Sequence, residues 1–449
     1  MPTRRDFIEQ AALAGVLSSS IARASSEVLE SPAASTAGMS KRRSKFGPTL
    51  KIKSLIRRDE TIIRNNAAHG DNWHMTWADD GLQYVSMCDG HGPIEPLSED
   101  YNSRLLALEG GPKNYEFRDV QGYPKLRPNF ETDPRYYNFG VIAFDGNIYQ
   151  FLSTWSIPAG KEAAAGEMRF MGVKAIYSSN NGITWHNQDG SAPVKWEGWN
   201  QRSKETMLFY EEPQETFSML SVLQMGRGYR DNRDGFIYIY APNGNTEGTM
   251  NELVMFRVPK TRILDRREYE YFAGWSPTGE AKWTKHIDGR GIVHKFPSGW
   301  VNKTRHPWAW IPSITYNAPL GLFMMANWGT GVGPEPDCEW FWKPSYLGFW
   351  TAPHPWGPWT QVHEEMAWTP EGDTNACCYS PIISPKWIAE DGKSFWLVWT
   401  DFMHVDAEKL PQIKEWIDKL NHPGMKRAEL GRLIAPYYGF NIQRVDLTV

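Results

Sequence analysis

The sequence predicts an all-β fold, a five-bladed β-propeller with a short helical insertion near its C-terminal end. Two observations support this prediction. The chain is rich in aromatic and turn-forming residues, with 22 Trp, 39 Gly and 31 Pro among 449 residues. A strand–turn–strand pattern also recurs along the chain in five copies. Many turns, many aromatic strands and few helix-like runs are typical of all-β domains, and a recurring β-meander is typical of propellers.

Each repeat joins a short apolar strand to a second strand rich in Tyr, Trp and Phe. The turn contains Asp-Gly in four of the five repeats, which is a strong hairpin signal between apolar strands. After the second repeat, Ser178–Trp185 resembles the Asp-box turn of sialidase-like propellers, with Asn180 in place of Asp. A β-sandwich with unrelated hairpins is the alternative architecture. The five repeats are Trp73–Ser86, Gly140–Ser153, Phe217–Tyr240, Trp310–Trp328 and Tyr379–Thr400.

The N-terminal segment has the three parts of an export signal. Arg4-Arg5 is followed by a weakly apolar stretch and then by the cleavage motif Ala22-Arg23-Ala24. Residues 1–24 therefore predict a twin-arginine signal peptide, recognised by the twin-arginine translocation machinery, and a periplasmic or secreted protein. The apolar stretch is too short to span a bilayer, so no stable membrane anchor is expected. Residues 25–48 predict a disordered linker, and residues 49–449 form the propeller domain.

The C-terminal part combines a helical pattern with a final strand. Residues 406–433 contain apolar residues at helical spacing and predict the helical insertion. Gly439–Val449 follows as a strand. Closing a propeller usually requires a terminal strand to complete the first or last blade, so we expect Gly439–Val449 and Leu50–Ile63 to provide that closure.

Charge and cysteine content narrow the function classes. The formal net charge of −4 argues against a general nucleic-acid-binding protein. Four scattered cysteines, without C-x-x-C spacing, predict neither a disulfide scaffold nor a zinc site. No metal site is predicted and no cofactor is required. Carboxylates and carbonyls near a propeller axis can hold calcium, and Asp89 either binds such a cation or faces the channel mouth.

The candidate active site lies where the innermost strands of the blades begin, because their first residues converge on the propeller axis. Glycoside hydrolysis needs one protonated and one ionised carboxyl group. We predict that Asp71 is one of the pair in a secreted glycoside hydrolase, with Glu212 or Glu215 as the second. The residues expected to bind the polysaccharide or oligosaccharide substrate are His69, His74, Arg135, Asn138, Arg305, His306, Trp308 and Tyr379.

Two other functions fit the same residue types. A polysaccharide lyase acting on a uronate-containing glycan needs a base and a cation that neutralises the acid group. His74, His306 or Tyr379 would be the base, and Arg305 the cation. A non-catalytic glycan-binding propeller would need only aromatic surfaces on which sugar rings stack.

Several ordered motifs between about residues 60 and 402 resemble the domain-of-unknown-function 4185 family. The resemblance implies a five-bladed propeller similar to glycosidases, some of which are endo-acting arabinan hydrolases. It also implies that Asp71 matches an acidic position at the start of the first blade. The motifs are mostly turns and blade strands: residues 69–81, 258–260, 269–274, 314–321, 352–359 and 384–392.

Overall fold

The computed structural model describes residues 51–94, 99–127, 134–155, 170–244, 251–296, 309–329, 344–401 and 435–449. The predicted signal peptide (1–24), linker (25–48) and helical insertion (406–433) lie outside these ranges. Every helix in the described ranges is a three-residue 3-10 turn, so none has the length or the apolar surface to cross a membrane. These turns are Trp199–Gln201, Pro213–Glu215, Arg227–Tyr229, Lys260–Arg262, Arg266–Glu268, Ile287–Gly289 and Pro370–Gly372.

The strands form five antiparallel sheets, which confirms the predicted five-bladed propeller. The chain begins with β1 (Ser54–Asn65), which belongs to the last blade. Blade one contains β2 (His69–Asp71), β3 (Met75–Trp77), β4 (Gln83–Gly92), β5 (Arg104–Glu109) and β6 (Glu116–Asp119). Blade two contains β7 (Tyr137–Phe144), β8 (Asn147–Trp155), β9 (Phe170–Ser178), β10 (His186–Asn187) and β11 (Phe209–Tyr210).

The remaining blades repeat this plan. Blade three contains β12 (Ser221–Val222), β13 (Phe236–Pro242), β14 (Glu252–Pro259), β15 (Glu270–Trp275), β16 (Ala281–Thr284) and β17 (His294–Lys295). Blade four contains β18 (Ser313–Asn317), β19 (Leu322–Gly329), β20 (Tyr346–Ala352) and β21 (Thr360–Glu365). Blade five contains β22 (Cys378–Ile388), β23 (Ser394–Asp401), β24 (Phe440–Thr448) and β1. The two inner strands of each blade overlap one of the five repeats predicted from the sequence, although most of them extend beyond the predicted bounds and the short β2 precedes the first repeat.

The Asp-Gly turns are built as the sequence suggests. Gly81 and Gly235 have φ values of 89° and 80°, which glycine adopts without steric cost. The aspartate of the same turn accepts a hydrogen bond from a tyrosine four residues later. Tyr84 Oη donates to Asp80 Oδ2 at 2.8 Å, and Tyr238 donates to Asp234 in the same way. These aspartates are therefore structural.

The ring is closed by the two terminal strands. β1 pairs antiparallel with β24, from Ser54 opposite Thr448 to Asn65 opposite Phe440, and β24 pairs with β23. The N-terminal strand is thus the outermost strand of blade five, as the predicted closure requires. Blade five is fixed to blade one by the buried Gln83, whose Oε1 accepts from Ser384 Oγ at 2.8 Å.

Aromatic residues fill much of the space inside and between blades. The largest fully buried side chains include Trp73, Trp328, Trp368 and Trp399. Most of the described tryptophans are therefore packing residues. The aromatic richness that predicts the fold also supplies the rings that surround the axis, described next.

Candidate active site

One end of the propeller axis is covered by an aromatic layer to which all five blades contribute. We call this layer the axial floor, and the end of the ring at which it lies the mouth. Its rings form a connected series, in which Tyr379 contacts Trp328 with ring centroids 5.4 Å apart and Trp328 contacts Trp310 at 5.7 Å. The floor residues are Cys88, Tyr137, Phe139, Phe170, Met219, Trp310, Ile311, Trp328, Cys377, Tyr379, Ala435 and Tyr438.

A local backbone feature aims side chains at this floor. Asn72, Ile311 and Ser380 each have a positive φ, at 55°, 42° and 50°, two residues before a position that lines the central channel. Non-glycine residues seldom adopt this conformation, and they do so where surrounding structure enforces it. The residue before each of them reaches the mouth: Asp71, Trp310 and Tyr379. The same backbone device therefore places a carboxylate, an indole and a phenol at equivalent positions of three blades.

Asp71 is the carboxylate at this floor, and its side chain is held on both oxygens. Tyr379 Oη donates to Oδ2 at 2.7 Å, and Asn72 Nδ2 donates to Oδ1 at 2.8 Å. Ser380 Oγ in turn donates to Asn72 Oδ1 at 2.8 Å, which fixes the orientation of the amide. Asp71 is 7% exposed. Hydrogen bonds donated to a carboxylate favour its ionised form, and both of these donors act in that direction.

The phenol that contacts Asp71 remains protonated. Burial, followed by the negative charge of Asp71 and the hydrogen bond to it, raises the pKa of Tyr379 well above its usual value. Tyr137, on blade two, also has a raised pKa, because it is buried and because Asp89 and Asp71 lie near it. Both phenols are thus hydrogen-bond donors at neutral pH, and neither is available as a base.

The predicted binding residues of blades one and two occupy different places. His69 stacks on His91 with ring centroids 5.1 Å apart and contacts Tyr438 at 4.8 Å, so it lies at the edge of the floor. Asn138 is fully buried, where it accepts from Cys88 Sγ and donates to the carbonyl of Arg104. Asn138 therefore supports the floor from below. Arg135 is half-buried just before β7. Its positive charge acts to lower the pKa of Tyr137, but burial and the nearby carboxylates outweigh this effect, so the pKa of Tyr137 is raised.

His74 lies beneath the floor. It lines a narrow central cavity of about 20 Å³, together with Ser221, Gln224 and Ser313. A space of this size holds about one water molecule. Burial lowers the pKa of His74 to about 3, so the imidazole is neutral over the physiological range. The structure thus places His74 in the channel wall, where its ring contacts the floor residue Phe139 with centroids 6.3 Å apart.

The two predicted glutamates lie on the segment that leads into blade three. Glu212 is buried and pairs with Arg266, whose Nη1 is 2.6 Å from Glu212 Oε1. This pair belongs to the outer part of the molecule, near Leu208 and Tyr271, and not to the hydrogen-bond group around Asp71. Glu215 is half-buried, with a φ of 58°. Arg305, His306 and Trp308 lie outside the described residues.

A further carboxylate, Asp89, lies beside Asp71. Asp71 is the cross-strand partner of Cys88 in the β2–β4 ladder, and Asp89 is the next residue along β4. Asp89 is half-buried, and its Oδ1 accepts from Asn102 Nδ2 at 3.2 Å. The sequence offers one signal for this residue, the Asp89-Gly90-His91-Gly92 motif. Within the described ranges, no three His, Cys, Asp or Glu side chains come together as a metal site.

Neither a family model nor a curated protein matches the sequence, so the resemblance to the domain-of-unknown-function 4185 family stays a prediction. Structurally similar proteins include glycoside hydrolases. A GH43_1 enzyme from Xanthomonas citri has 11% identity and a TM-score of 0.39, with 86% of this chain and 90% of that chain covered. A Bombyx mori GH32 β-fructofuranosidase has 9% identity and a TM-score of 0.39, with 75% of this chain and 58% of that chain covered. A Dyadobacter fermentans protein of unknown function has 11% identity and a TM-score of 0.41, with 88% of this chain and 100% of that chain covered.

Proposed function

We propose that this chain is a glycoside hydrolase that cleaves a polysaccharide or oligosaccharide at the mouth of the propeller. One observation carries the proposal: the Asp71 carboxylate stands at the axial floor, with Tyr379 and Asn72 donating to its two oxygens. An ionised carboxylate held in this way serves as the nucleophile or base of glycoside hydrolysis, which passes through a positively charged, oxocarbenium-like transition state. The proposed reaction requires no cofactor.

The surroundings of Asp71 suit a sugar ring. The floor combines apolar ring surface with the hydroxyl groups of Tyr137, Tyr379 and Tyr438. Aromatic side chains with a polar group pack well against a ligand that is apolar on its C–H faces and polar at its edges. Tyr137, Trp310 and Tyr379 are buried at the floor, with 7%, 8% and 5% of their surface exposed.

The lyase alternative has less support in the geometry. A lyase needs a base near neutral pH to remove a proton from the uronate ring. Of the predicted bases that lie in the described ranges, Tyr379 has a raised pKa and donates to Asp71, whereas His74 has a pKa lowered to about 3 and lines the channel. Neither group is suited to take up a proton from a substrate at the mouth.

Export is part of the same proposal. We propose that the twin-arginine signal of residues 1–24 directs the folded propeller to the periplasm or beyond, where polysaccharides are found. A fusion of residues 1–48 to a reporter that is active only after folded export tests this. The Arg4→Lys, Arg5→Lys double variant is expected to retain the reporter inside the cell, and export of that variant would argue against the twin-arginine route.

The function is tested by incubating the purified chain with a panel of plant and microbial polysaccharides and oligosaccharides. Reducing ends report hydrolysis, and ultraviolet absorbance of an unsaturated uronate reports a lyase. We expect reducing ends without the chromophore, and their loss in Asp71→Asn. Asp391→Asn, which changes an exposed turn aspartate in the same way, should retain activity. Binding without turnover across the panel would instead identify a glycan-binding propeller, and an active Asp71→Asn would exclude the proposed role of Asp71.

A further inference from the structure

Asp89 begins an irregular part of the β2–β4 ladder, next to the residue that pairs with Asp71. His69 pairs with Gly92, and Asp71 pairs with Cys88. One residue therefore separates the pairs on β2, whereas three residues, beginning with Asp89, separate them on β4. Extra residues of this kind bend a strand and re-aim a side chain, and such bulges are frequent beside active sites. Asp89 itself has a φ of 48°, a conformation that is uncommon for a non-glycine residue.

Two glycines make this bulge possible. A Cβ atom at Gly90 would lie 2.2 Å from the carbonyl oxygen of His69 and 2.6 Å from the Cα of Gly70. The backbones of β2 and β4 therefore touch at a point where no other residue fits. Because the strands cross so closely, the bulge is fixed in place, and Asp89 lies directly after the Asp71–Cys88 pair.

The charges of the two carboxylates act on the same neighbouring groups. Burial raises the pKa of the Cys88 thiol, and the charges of both Asp71 and Asp89 raise it further. The pKa of Tyr137 is raised by the same two charges in addition to its burial. Cys88 and Tyr137 lie on different blades. The charges of Asp71 and Asp89 therefore act together on the pKa values of two separate groups at the mouth.

The two carboxylates differ in how they are held. Asp71 is 7% exposed and accepts from two donors at 2.7 and 2.8 Å. Asp89 is half-buried and accepts at 3.2 Å from the neutral amide of Asn102. Two neighbouring carboxyl groups in unlike environments are the arrangement in which one stays ionised and the other keeps a proton.

We infer that Asp89 is the general acid that works with Asp71, a role that rests on the proposed hydrolase function. Asp89 gives its proton to the glycosidic oxygen as the bond from that oxygen to the anomeric carbon breaks. Water then supplies a hydroxyl group to the anomeric carbon. The remaining proton of that water goes to Asp71 if the reaction has one step. It returns to Asp89 if Asp71 has first formed a glycosyl ester. Glu212, by contrast, is committed to Arg266.

Leaving-group dependence tests this role. A general acid matters most when the leaving oxygen is strongly basic and matters little when it leaves without a proton. The wild-type chain, Asp89→Asn and Asp71→Asn are compared on dinitrophenyl glycosides of the common pentoses and hexoses, and on oligosaccharides of the sugar that is cleaved. We expect Asp89→Asn to lose about 10²- to 10⁴-fold on the oligosaccharide and less than about tenfold on the dinitrophenyl glycoside. Asp71→Asn should lose activity on both.

Each result decides between the two proposals. A wild-type chain that hydrolyses no member of either panel overturns the hydrolase function and the role of Asp89 with it. If the wild type is active, an Asp89→Asn variant that is unaffected, or equally impaired on both substrates, overturns the role of Asp89 alone. The same conclusion follows if Glu215→Gln shows the leaving-group dependence instead. Near-ultraviolet circular dichroism of each variant, set against Asp391→Asn, excludes misfolding as the cause.

Discussion

The seam between the first and last blades should depend strongly on a single tryptophan. Trp73 lies in blade one and is fully buried. Its indole N–H faces two acceptors of blade five, Thr400 Oγ1 and the carbonyl oxygen of Gly439, each at 3.1 Å. The ring also packs edge-on against Phe440, with centroids 5.3 Å apart. Replacing Trp73 by Phe keeps an aromatic ring and removes the donor.

The cost of this substitution has two parts. Losing the N–H removes one buried hydrogen bond, whose net contribution is about 0.5–1.5 kcal/mol. The smaller ring leaves a cavity of roughly 30–40 Å³, which costs about 1 kcal/mol at about 24 cal/mol per Å³. The sum is about 2 kcal/mol. A domain of this size has an unfolding entropy of roughly 0.8 kcal/mol per kelvin. We therefore expect the midpoint of thermal unfolding to fall by about 2 to 3 °C.

Differential scanning calorimetry at one fixed scan rate measures this shift. Trp275→Phe is the matched control, because Trp275 is 36% exposed at the edge of blade three. Its midpoint should change by less than about 1 °C, since exposed substitutions usually alter stability by less than about 0.5 kcal/mol. Equal shifts in the two variants, or an unchanged midpoint in Trp73→Phe, would refute the idea that this indole holds the seam together.

Three further results are expected. Tyr379→Phe removes the donor to Asp71 and should lower kcat/KM for glycan hydrolysis about 10- to 100-fold, since hydrogen bonds to charged groups contribute about 1.5–3 kcal/mol; unchanged kinetics would show that the phenol does not orient the carboxylate. His74 is neutral in the folded state, with a pKa lowered to about 3 from 6.5, whereas the unfolded chain takes up a proton below about pH 6.5. The neutral imidazole therefore contributes to stability above that pH, and this contribution is lost as the pH falls toward 3. We expect His74→Gln to make the thermal unfolding midpoint fall less steeply between pH 7 and 4. An equally steep fall in the variant would argue against this. Arg266→Met leaves the buried Glu212 carboxylate without its cation and should lower the free energy of unfolding in urea by about 2 to 4 kcal/mol. Adding Glu212→Gln should restore much of this loss. If it restores none, the broken ion pair is not the cause.

The fold could be predicted from the sequence because its signals are local. Each Asp-Gly turn lies between the two strands that it joins, so a hairpin such as the one around Asp145-Gly146 is visible within about fifteen residues of sequence. Ring closure was also predictable, since a propeller needs a terminal strand and Gly439–Val449 was available as one.

The candidate site was predictable only in part, because its geometry depends on contacts between distant segments. Asp71 could be placed at the mouth from its position before an inner strand. Its contact with Tyr379 joins residues 308 positions apart, which no local pattern reveals. Glu212 looked equally suitable in sequence, yet its partner Arg266 is 54 residues away, in the connection between β14 and β15. The position of Asp89 follows from the crossing of two glycine-containing strands, which depends on the register of β2 and β4.

The pairing of β1 with β24 also means that the blades follow one another in a cyclic order. Lys53 donates from its backbone N to the carbonyl of Thr448 at 2.7 Å, and its Nζ donates to the carbonyl of Val449 at 3.0 Å. A short linker could therefore join residue 449 to residue 51. The chain could then be opened in another exposed turn, such as the one between β5 and β6, with every strand keeping its present neighbours. Asp71 and Tyr379, now 308 positions apart, would become much closer in sequence while their contact across the mouth stayed the same.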